Sequence, residues 1–371
     1  MRHLYLRIFL LLFMANISYA QQYSEQLESS VNKQTKSLLK DKEIKAVAVG
    51  VYYKGETYRY YFGQQGDQNP NMLDDSSVYE IASVSKTMLG YLAAKAVLEG
   101  KIDLDDEVQK YLGKPYPNLS YEGDPIRIKH LLANTSGLPH FMPESLDGIF
   151  ERLSPEVPTD FYKVESAVTK DDFWQALESF ELTQKPGTRF YYSNAGAELM
   201  SYILENVYGK SLDELLQDEL FQKCDMELSG IAMTAEMQAN AVLGYWMGNL
   251  EPSPYFANTL WAGGAGVKSN LLAMTNYLEF LMESDDPTIA ESRQELFHDG
   301  KTTRLGYYWR IWKDKYGTSY NHHGGSPGMQ NWVYLYPDQD FAITIFTNHS
   351  GPKTPGKLKR VVDKILKEVT R

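Results

Sequence analysis

The sequence predicts a two-lobed α+β fold: one antiparallel sheet assembled from the N- and C-terminal segments, flanked by terminal helices, with a helical lobe inserted between them. Three observations predict it. Strand-like runs rich in β-branched and aromatic residues cluster at both ends, over 46–63 and 307–347. Helical spacing of apolar residues dominates the middle. No internal repeat or low-complexity tract interrupts a chain of 371 residues, which is long enough to bury a large core. The sheet lobe is expected over about 24–85 and 300–371 and the helical lobe over about 86–299, within one domain spanning 21–371.

Taken in order, residues 24–42 read as an amphipathic helix that is polar on most faces. Residues 46–63 read as a β-hairpin turning at Lys54-Gly55. A Gly/Asn/Asp/Pro loop at 63–75 leads to residues 79–99. There Met88, Leu89, Leu92, Ala93, Ala96 and Val97 recur at helical spacing and few polar residues interrupt, which predicts a mostly buried helix. A turn and a short helix follow, ending near Leu112, then a Pro-rich loop over 113–125. Residues 133–139 form a turn with several side chains able to hydrogen-bond. The stretch 140–170 reads as a loop or flap over a cleft. Helices are expected over 171–180 and 195–208, and from a capping box at Ser211–Glu214 to Phe221. Residues 261–267 are a Gly-rich turn, after which Ser269 caps a helix to about Met282. Strands over 307–312, 331–336 and 341–347 precede a last amphipathic helix, 358–369.

Residues 1–20 carry the marks of a secretory signal. Arg2 and Arg7 precede an apolar run, Ile8 to Met14, too short to span a bilayer, and Ser18-Tyr19-Ala20 is a small-x-small cleavage site. A soluble, exported, periplasmic protein without a stable membrane span is expected. Cys224 is the lone cysteine, so no intramolecular disulfide and no cysteine-cluster metal site can form; a small buried hydrophobe is its expected role. Losing Arg2 and Arg7 with the signal takes the formal net charge from −11 to −13, which argues against nucleic acid or anionic membrane as a partner. Oligomeric state is not legible.

Chemistry concentrates in three places. Ser83 and Lys86 stand three apart at the start of the buried helix, so their side chains share a face. A serine hydroxyl is a poor nucleophile until a base takes its proton, and a lysine whose charged form is disfavoured by burial can do that. Ser-x-x-Lys alone is weak, since Ser30/Lys33, Ser37/Lys40 and Ser350/Lys353 match it too. Only Ser83 opens an apolar helix; the alternative is that it is an ordinary N-cap. Tyr192-Ser193-Asn194 sits between an extended segment and a helix, where a tyrosine can relay protons and an asparagine can hold a carbonyl. His323-Gly324-Gly325-Ser326 lies just ahead of a strand pair, where glycine would let a substrate backbone lie along the strand edge. His322-His323 has no third metal ligand nearby, so no metal is expected.

In that order, Ser83-Val84-Ser85-Lys86, Tyr192-Ser193-Asn194 and His323-Gly324-Gly325 resemble the class C β-lactamase-like serine hydrolases. That superfamily includes penicillin-binding proteins, D-amino-acid peptidases and certain esterases. Residues 131–138, Pro186-Gly187 with the segment to Asn194, and Ala262-Gly263-Gly264 extend the resemblance over nearly all of 24–369. It implies a β-lactamase/transpeptidase-like fold with Ser83 as the acylated nucleophile and Lys86 and Tyr192 sharing general base and acid work. Asn194 would orient the substrate amide, and the backbone N–H groups of Ser83 and of Ser326, after Gly325, would form the oxyanion hole. No metal or organic cofactor is implied.

Histidine replaces a lysine at the third motif. A lysine there would offer substrate carboxylates a permanent cation, whereas histidine is mostly neutral at pH 7. The expected activity is acyl-enzyme hydrolysis of a small-molecule or peptide substrate, with D-amino-acid or cell-wall peptides first. Esters or lactones come second and β-lactams third. A catalytically silent sensor of peptidoglycan or drug is the alternative from another class.

Overall fold

The computed structural model describes residues 23–257 and 261–370; the expected signal segment lies outside them. An interior strand of the sheet is β1 (Ala46–Tyr53), a run of eight buried residues. A strand buried on both faces needs apolar side chains at every position, and this one has two different sets. Val47, Val49, Val51 and Tyr53 face one side; Ala46, Ala48 and Tyr52 face the other. β1 turns through Lys54 and Gly55, both at positive φ, into β2 (Glu56–Gly66). Two consecutive left-handed residues suit the twist of a two-residue hairpin. β3 (Asn69–Met72) then pairs with the end of β2, in the stretch expected to be loop.

The remaining strands come from the C-terminal part: β4 (Phe297–His298), β5 (Arg304–Gly306), β6 (Trp309–Asp314), β7 (Gly317–Gly325), β8 (Gln330–Tyr336) and β9 (Phe341–Thr347). All nine form one sheet in the order β3-β2-β1-β9-β8-β7-β6-β5-β4. Chain ends more than 280 residues apart meet where β1 pairs antiparallel with β9, Val49 opposite Ile345. β7 is a strand in its own right, whereas the sequence placed His323 merely ahead of one.

Two helices cover the Val47/Val49/Val51 face: α1 (residues 23–38) and α5 (Thr354–Val369). Leu27, Val31 and Leu38 from α1 and Leu358, Val362, Ile365 and Leu366 from α5 close that core. On the opposite face lie α2 (Ser85–Leu98), α3 (Asn194–Tyr208) and α4 (Leu271–Glu283). Gly50 sits where α4 crosses β1; a Cβ there would stand 2.5 Å from the Thr275 hydroxyl. α2 buries eleven of its fourteen residues, so it is a core helix rather than an amphipathic surface one.

Several local expectations change. Asn270, not Ser269, caps α4, its side-chain oxygen accepting the Ala273 N–H; Ser269 is the middle residue of a short strand, Lys268–Asn270, and its hydroxyl bonds that of Ser229. The stretch 140–170 holds a helix, Val157–Glu165, rather than loop alone. Cys224 is buried, as expected.

Candidate active site

Ser83 does not cap α2. It occupies a 3₁₀ turn, Ala82–Val84, immediately ahead of the helix, whose N-cap is Val84 with no side-chain cap bond. Ala82 holds φ at 45°, a left-handed conformation that costs an L-residue free energy. Ser85 stabilises it: its hydroxyl donates to Ala82 O at 2.6 Å and accepts from Val267 N–H at 3.1 Å. Sequence reasoning assigned Ser85 no role. The result is a turn that presents Ser83, half-buried, to a cleft of about 420 Å³.

Lys86, one helical turn on, is fully buried. Its ammonium donates to Asn194 Oδ1 and to Gly264 O, each at 2.6 Å, and lies 4.9 Å from the centre of the Tyr192 ring. Burial pushes its pKa below the ordinary lysine value, against the opposing attraction of Tyr192 and Glu198. A lysine held by two neutral acceptors and stripped of water is suited to shuttle a proton. Asn194 therefore binds the lysine through its carbonyl oxygen, and its other amide atom remains for a ligand.

The second motif is held by the turn at 133–139. Asn134, at φ 51°, accepts the Ser193 N–H on Oδ1 at 3.1 Å, and its own carbonyl accepts Tyr191 N–H at 2.8 Å. Ser193 caps α3 by accepting Gly196 N–H at 2.8 Å and donates to Pro139 O at 2.7 Å. Asn194 N–H reaches His140 O at 2.9 Å. Tyr192 is thereby fixed at the cleft wall with its two neighbours tied down.

The third motif is the far end of β7. β6 pairs only as far as Asn321, opposite Arg310, while β8 pairs through Gly325. Residues 322–325 thus run past β6 with that edge unpaired. This end of the strand lies over the nucleophile turn: a Cβ on Gly324 would stand 2.2 Å from Ile81 O. Only glycine permits that approach.

The two histidines part company because side chains alternate along a strand. His323 lines the cleft, with Nε2 2.6 Å from Gln330 Oε1. Gln330 Nε2 donates to Ser350 at 2.8 Å, so its oxygen is the acceptor and His323 Nε2 carries the proton. Burial pushes the His323 pKa down to about 4. His322 is buried on the Tyr192 side, ring centres 6.3 Å apart, and donates from Nδ1 to His323 O at 2.8 Å. Burial, with Arg310 and Lys86 nearby, depresses its pKa strongly. Both rings are neutral at pH 7. Burial thus moves His323 titration well below its ordinary range.

Two further expectations meet the geometry differently. Ser326 lines the cleft, but its N–H donates to Met329 O at 2.9 Å inside the turn joining β7 to β8. That bond engages the N–H expected to serve the oxyanion hole. Gly325, which also lines the cleft, is the residue left on the open strand end. Arg310 drew no attention in the sequence because no motif contains it. At the start of β6 it borders the same cleft and, among the described residues, makes no ion pair. The rest of the lining is largely apolar, with Phe141, Phe161, Trp246, Phe256 and Trp261. Phe141 and Phe161 come from the expected flap, which Trp246 fastens by donating to Ser154 O at 2.9 Å. Among the described residues no group of three or more His, Cys, Asp or Glu could hold a metal.

Comparison with known proteins shows what the whole chain is similar to. Protein flp of Staphylococcus aureus strain MW2 is 23% identical over 319 residues, covering 82% of this chain and 59% of that protein. A beta-lactamase of Escherichia coli K12 is 24% identical over 258 residues, covering 69% and 61%. The chain thus spans about three-fifths of the length of these relatives. Among solved structures, the beta-lactamase/D-alanine carboxypeptidase from Yersinia pestis complexed with citrate superposes with TM-score 0.81 at 21% identity, covering 94% of this chain and 99% of that one. A class C beta-lactamase superposes with TM-score 0.76 at 18% identity, covering 92% and 96%. These likenesses establish the fold, and the beta-lactamase family profile matches residues 31–367. Because that profile spans most of the chain, the chain belongs to the beta-lactamase family and has its serine-hydrolase fold.

Proposed function

We propose that this protein is an exported serine hydrolase that works through an acyl-enzyme, cleaving amide bonds of peptides that end in a free carboxylate, with D-amino-acid and cell-wall peptides first. The observation that carries the chemistry is Lys86: fully buried, held by Asn194 and Gly264, depressed in pKa and beside Tyr192. The Ser83 hydroxyl passes its proton to the Lys86–Tyr192 pair as Oγ bonds to the substrate carbonyl carbon. The carbonyl oxygen takes the negative charge beside the backbone N–H groups of Ser83 and Gly325. As the C–N bond breaks, the same proton goes to the leaving amine. Water, deprotonated by the pair, then cleaves the Ser83 ester and restores the hydroxyl.

The substrate class follows from charge. With His322 and His323 neutral, Arg310 is the permanent cation bordering the cleft, and a guanidinium fits a carboxylate bidentately. A charge-assisted bond of this kind contributes roughly 1.5–3 kcal/mol, about ten- to a hundredfold in kcat/KM. A second reading, ester or lactone hydrolysis, is favoured by the five aromatic side chains of the lining. A panel of D-Ala-D-Ala peptides, their C-terminal amides, p-nitrophenyl esters and nitrocefin decides between them, run on wild type, Ser83→Ala and Arg310→Gln. The proposal expects acid over amide by at least about tenfold in wild type, and a ratio near one in Arg310→Gln. Equal use of acid and amide by wild type, with esters turned over fastest, would favour the esterase. No Ser83-dependent turnover of any substrate would leave the silent sensor.

A further inference from the structure

The two terminal helices carry a charge pattern that the cleft does not use. Residues 32–42 and 353–370 hold ten basic and three acidic side chains, net +7, in a chain of net charge −11. Everything else therefore sums to −18. Each of the three carboxylates is already taken by one lysine: Lys33 with Glu368 at 2.7 Å, Lys359 with Asp363 at 2.7 Å, and Lys357 with Asp41. Seven cations remain without an ion pair among the described residues. They are not scattered. Exposed Lys36 and Lys40 on the α1 side and Lys364 and Lys367 on α5 line a groove of about 530 Å³, which Ser37 and the mutually paired Lys33 and Glu368 also border. A second groove of about 250 Å³, sharing Ser37 and Lys364, continues past Arg360.

From this we infer that the α1–α5 groove binds a linear polyanion carrying repeated phosphate groups, separately from the active site. Unneutralised like charges on facing walls repel and lower stability, so a bound anion would relieve a standing cost. Lysines act as point charges for phosphate, whereas carboxylate recognition favours the arginine fork. The channel suits a chain, because a flat bilayer would touch only the two helix ridges. Helices that bind membranes also present large apolar side chains outward. None of the exposed large apolar residues among those described lies on α1 or α5. Nor can residues 1–22 be the occupant: they contain no acid and carry Arg2 and Arg7. The acidic remainder repels a polyanion and so confines it to this face.

Linear inorganic polyphosphate, titrated into the full chain by calorimetry, is the probe. Binding is expected in wild type, weakening with salt at a log–log slope of about 3 to 4, as for four to six displaced counterions on a flexible polyanion. The Lys36→Gln/Lys40→Gln/Lys364→Gln/Lys367→Gln variant should lose at least about tenfold in affinity, with unchanged circular dichroism and melting cooperativity. Lys36→Gln/Lys40→Gln and Lys364→Gln/Lys367→Gln should each lose part, which keeps the test valid if the quadruple variant misfolds. Equal affinity in folded variants, or no binding in wild type, overturns the inference. Tighter binding to phosphatidylglycerol vesicles than to polyphosphate assigns the face to membrane and overturns it as well. So does salt-sensitive self-association in sedimentation that the variants abolish, which would make a second copy the occupant. None of these readouts requires hydrolytic activity.

Discussion

The two faces of the central sheet solve different problems. Behind β1, Val47, Val49 and Val51 meet Ile343 and Ile345 and the apolar stripes of α1 and α5, a core of branched and aromatic side chains. In front, β1 offers Ala46, Ala48 and Gly50, small enough for α4 to press close. That face also carries buried polar groups that must all be placed: Lys86, Asn194, Ser85, Ser193 and Asn134. The back is held by area removed from water, which is non-directional. The front is held by directed hydrogen bonds and by a left-handed Ala82 stabilised from outside. Substitutions behind the sheet should therefore move stability and spare catalysis, while those in front should do the reverse.

The largest effect expected is at Ser83. Ser83→Ala should abolish labelling by a fluorophosphonate, read as one mass increment on the peptide containing residue 83, and lower kcat by about 10³-fold or more. Labelling that survived would move the nucleophile elsewhere and end the contrast. Next come Lys86→Ala and Tyr192→Phe, each expected to cost on the order of 10² in kcat. Because both serve one proton transfer, the double variant should lose little beyond the worse single one. Cleanly multiplicative losses would show two independent roles.

Behind the sheet, Ile345→Val should cost about 0.5–1.5 kcal/mol in urea unfolding with kcat unchanged. A comparable fall in kcat would mean that the two faces are mechanically coupled. The smallest effect is at His323, whose pKa of about 4 predicts an acid-to-amide ratio of kcat/KM that is flat between pH 5.5 and 8. Its consequence lies in stability instead. A histidine whose folded pKa is depressed stabilises the fold fully above its unfolded pKa, near 6.5, and loses that contribution as pH falls toward 4. His130, His140, His322 and His349 are depressed in the same sense, all chiefly by burial. Melting temperature should fall over that window, and less steeply in His323→Gln; a rising ratio below pH 6.5 would instead restore His323 as a carboxylate anchor.

Much of the back of the molecule was legible because periodicity reports burial directly. The 46–63 hairpin and the 331–336 and 341–347 strands stand where the pattern placed them, and the last helix ends at Val369 as expected but begins four residues earlier, at Thr354. The front was legible only as a list of chemical groups. Ser83, Lys86, Tyr192 and Asn194 meet around one cleft, but Ser83 stands in a 3₁₀ turn rather than in the helix, which no propensity scale distinguishes. β7 was missed because its Asn-His-His-Gly-Gly end lacks the alternation by which strands are recognised, being buried against the serine turn instead. Arg310 stayed invisible because its relevance depends on where β6 stops pairing, a property of register and not of spacing.

The sequence by itself determined the α+β class, that the sheet is built from the two ends of the chain, and the order of the serine, tyrosine and histidine–glycine motifs, since hydrophobic period and motif order are local or one-dimensional. Tertiary structure alone decided where β6 stops pairing along β7 and which histidine faces the cleft. It also decided that both imidazoles are neutral, and that cations 330 residues apart share one groove. Those properties depend on desolvation and on contacts between distant segments, and free energies of that kind exist only once the chain has closed on itself.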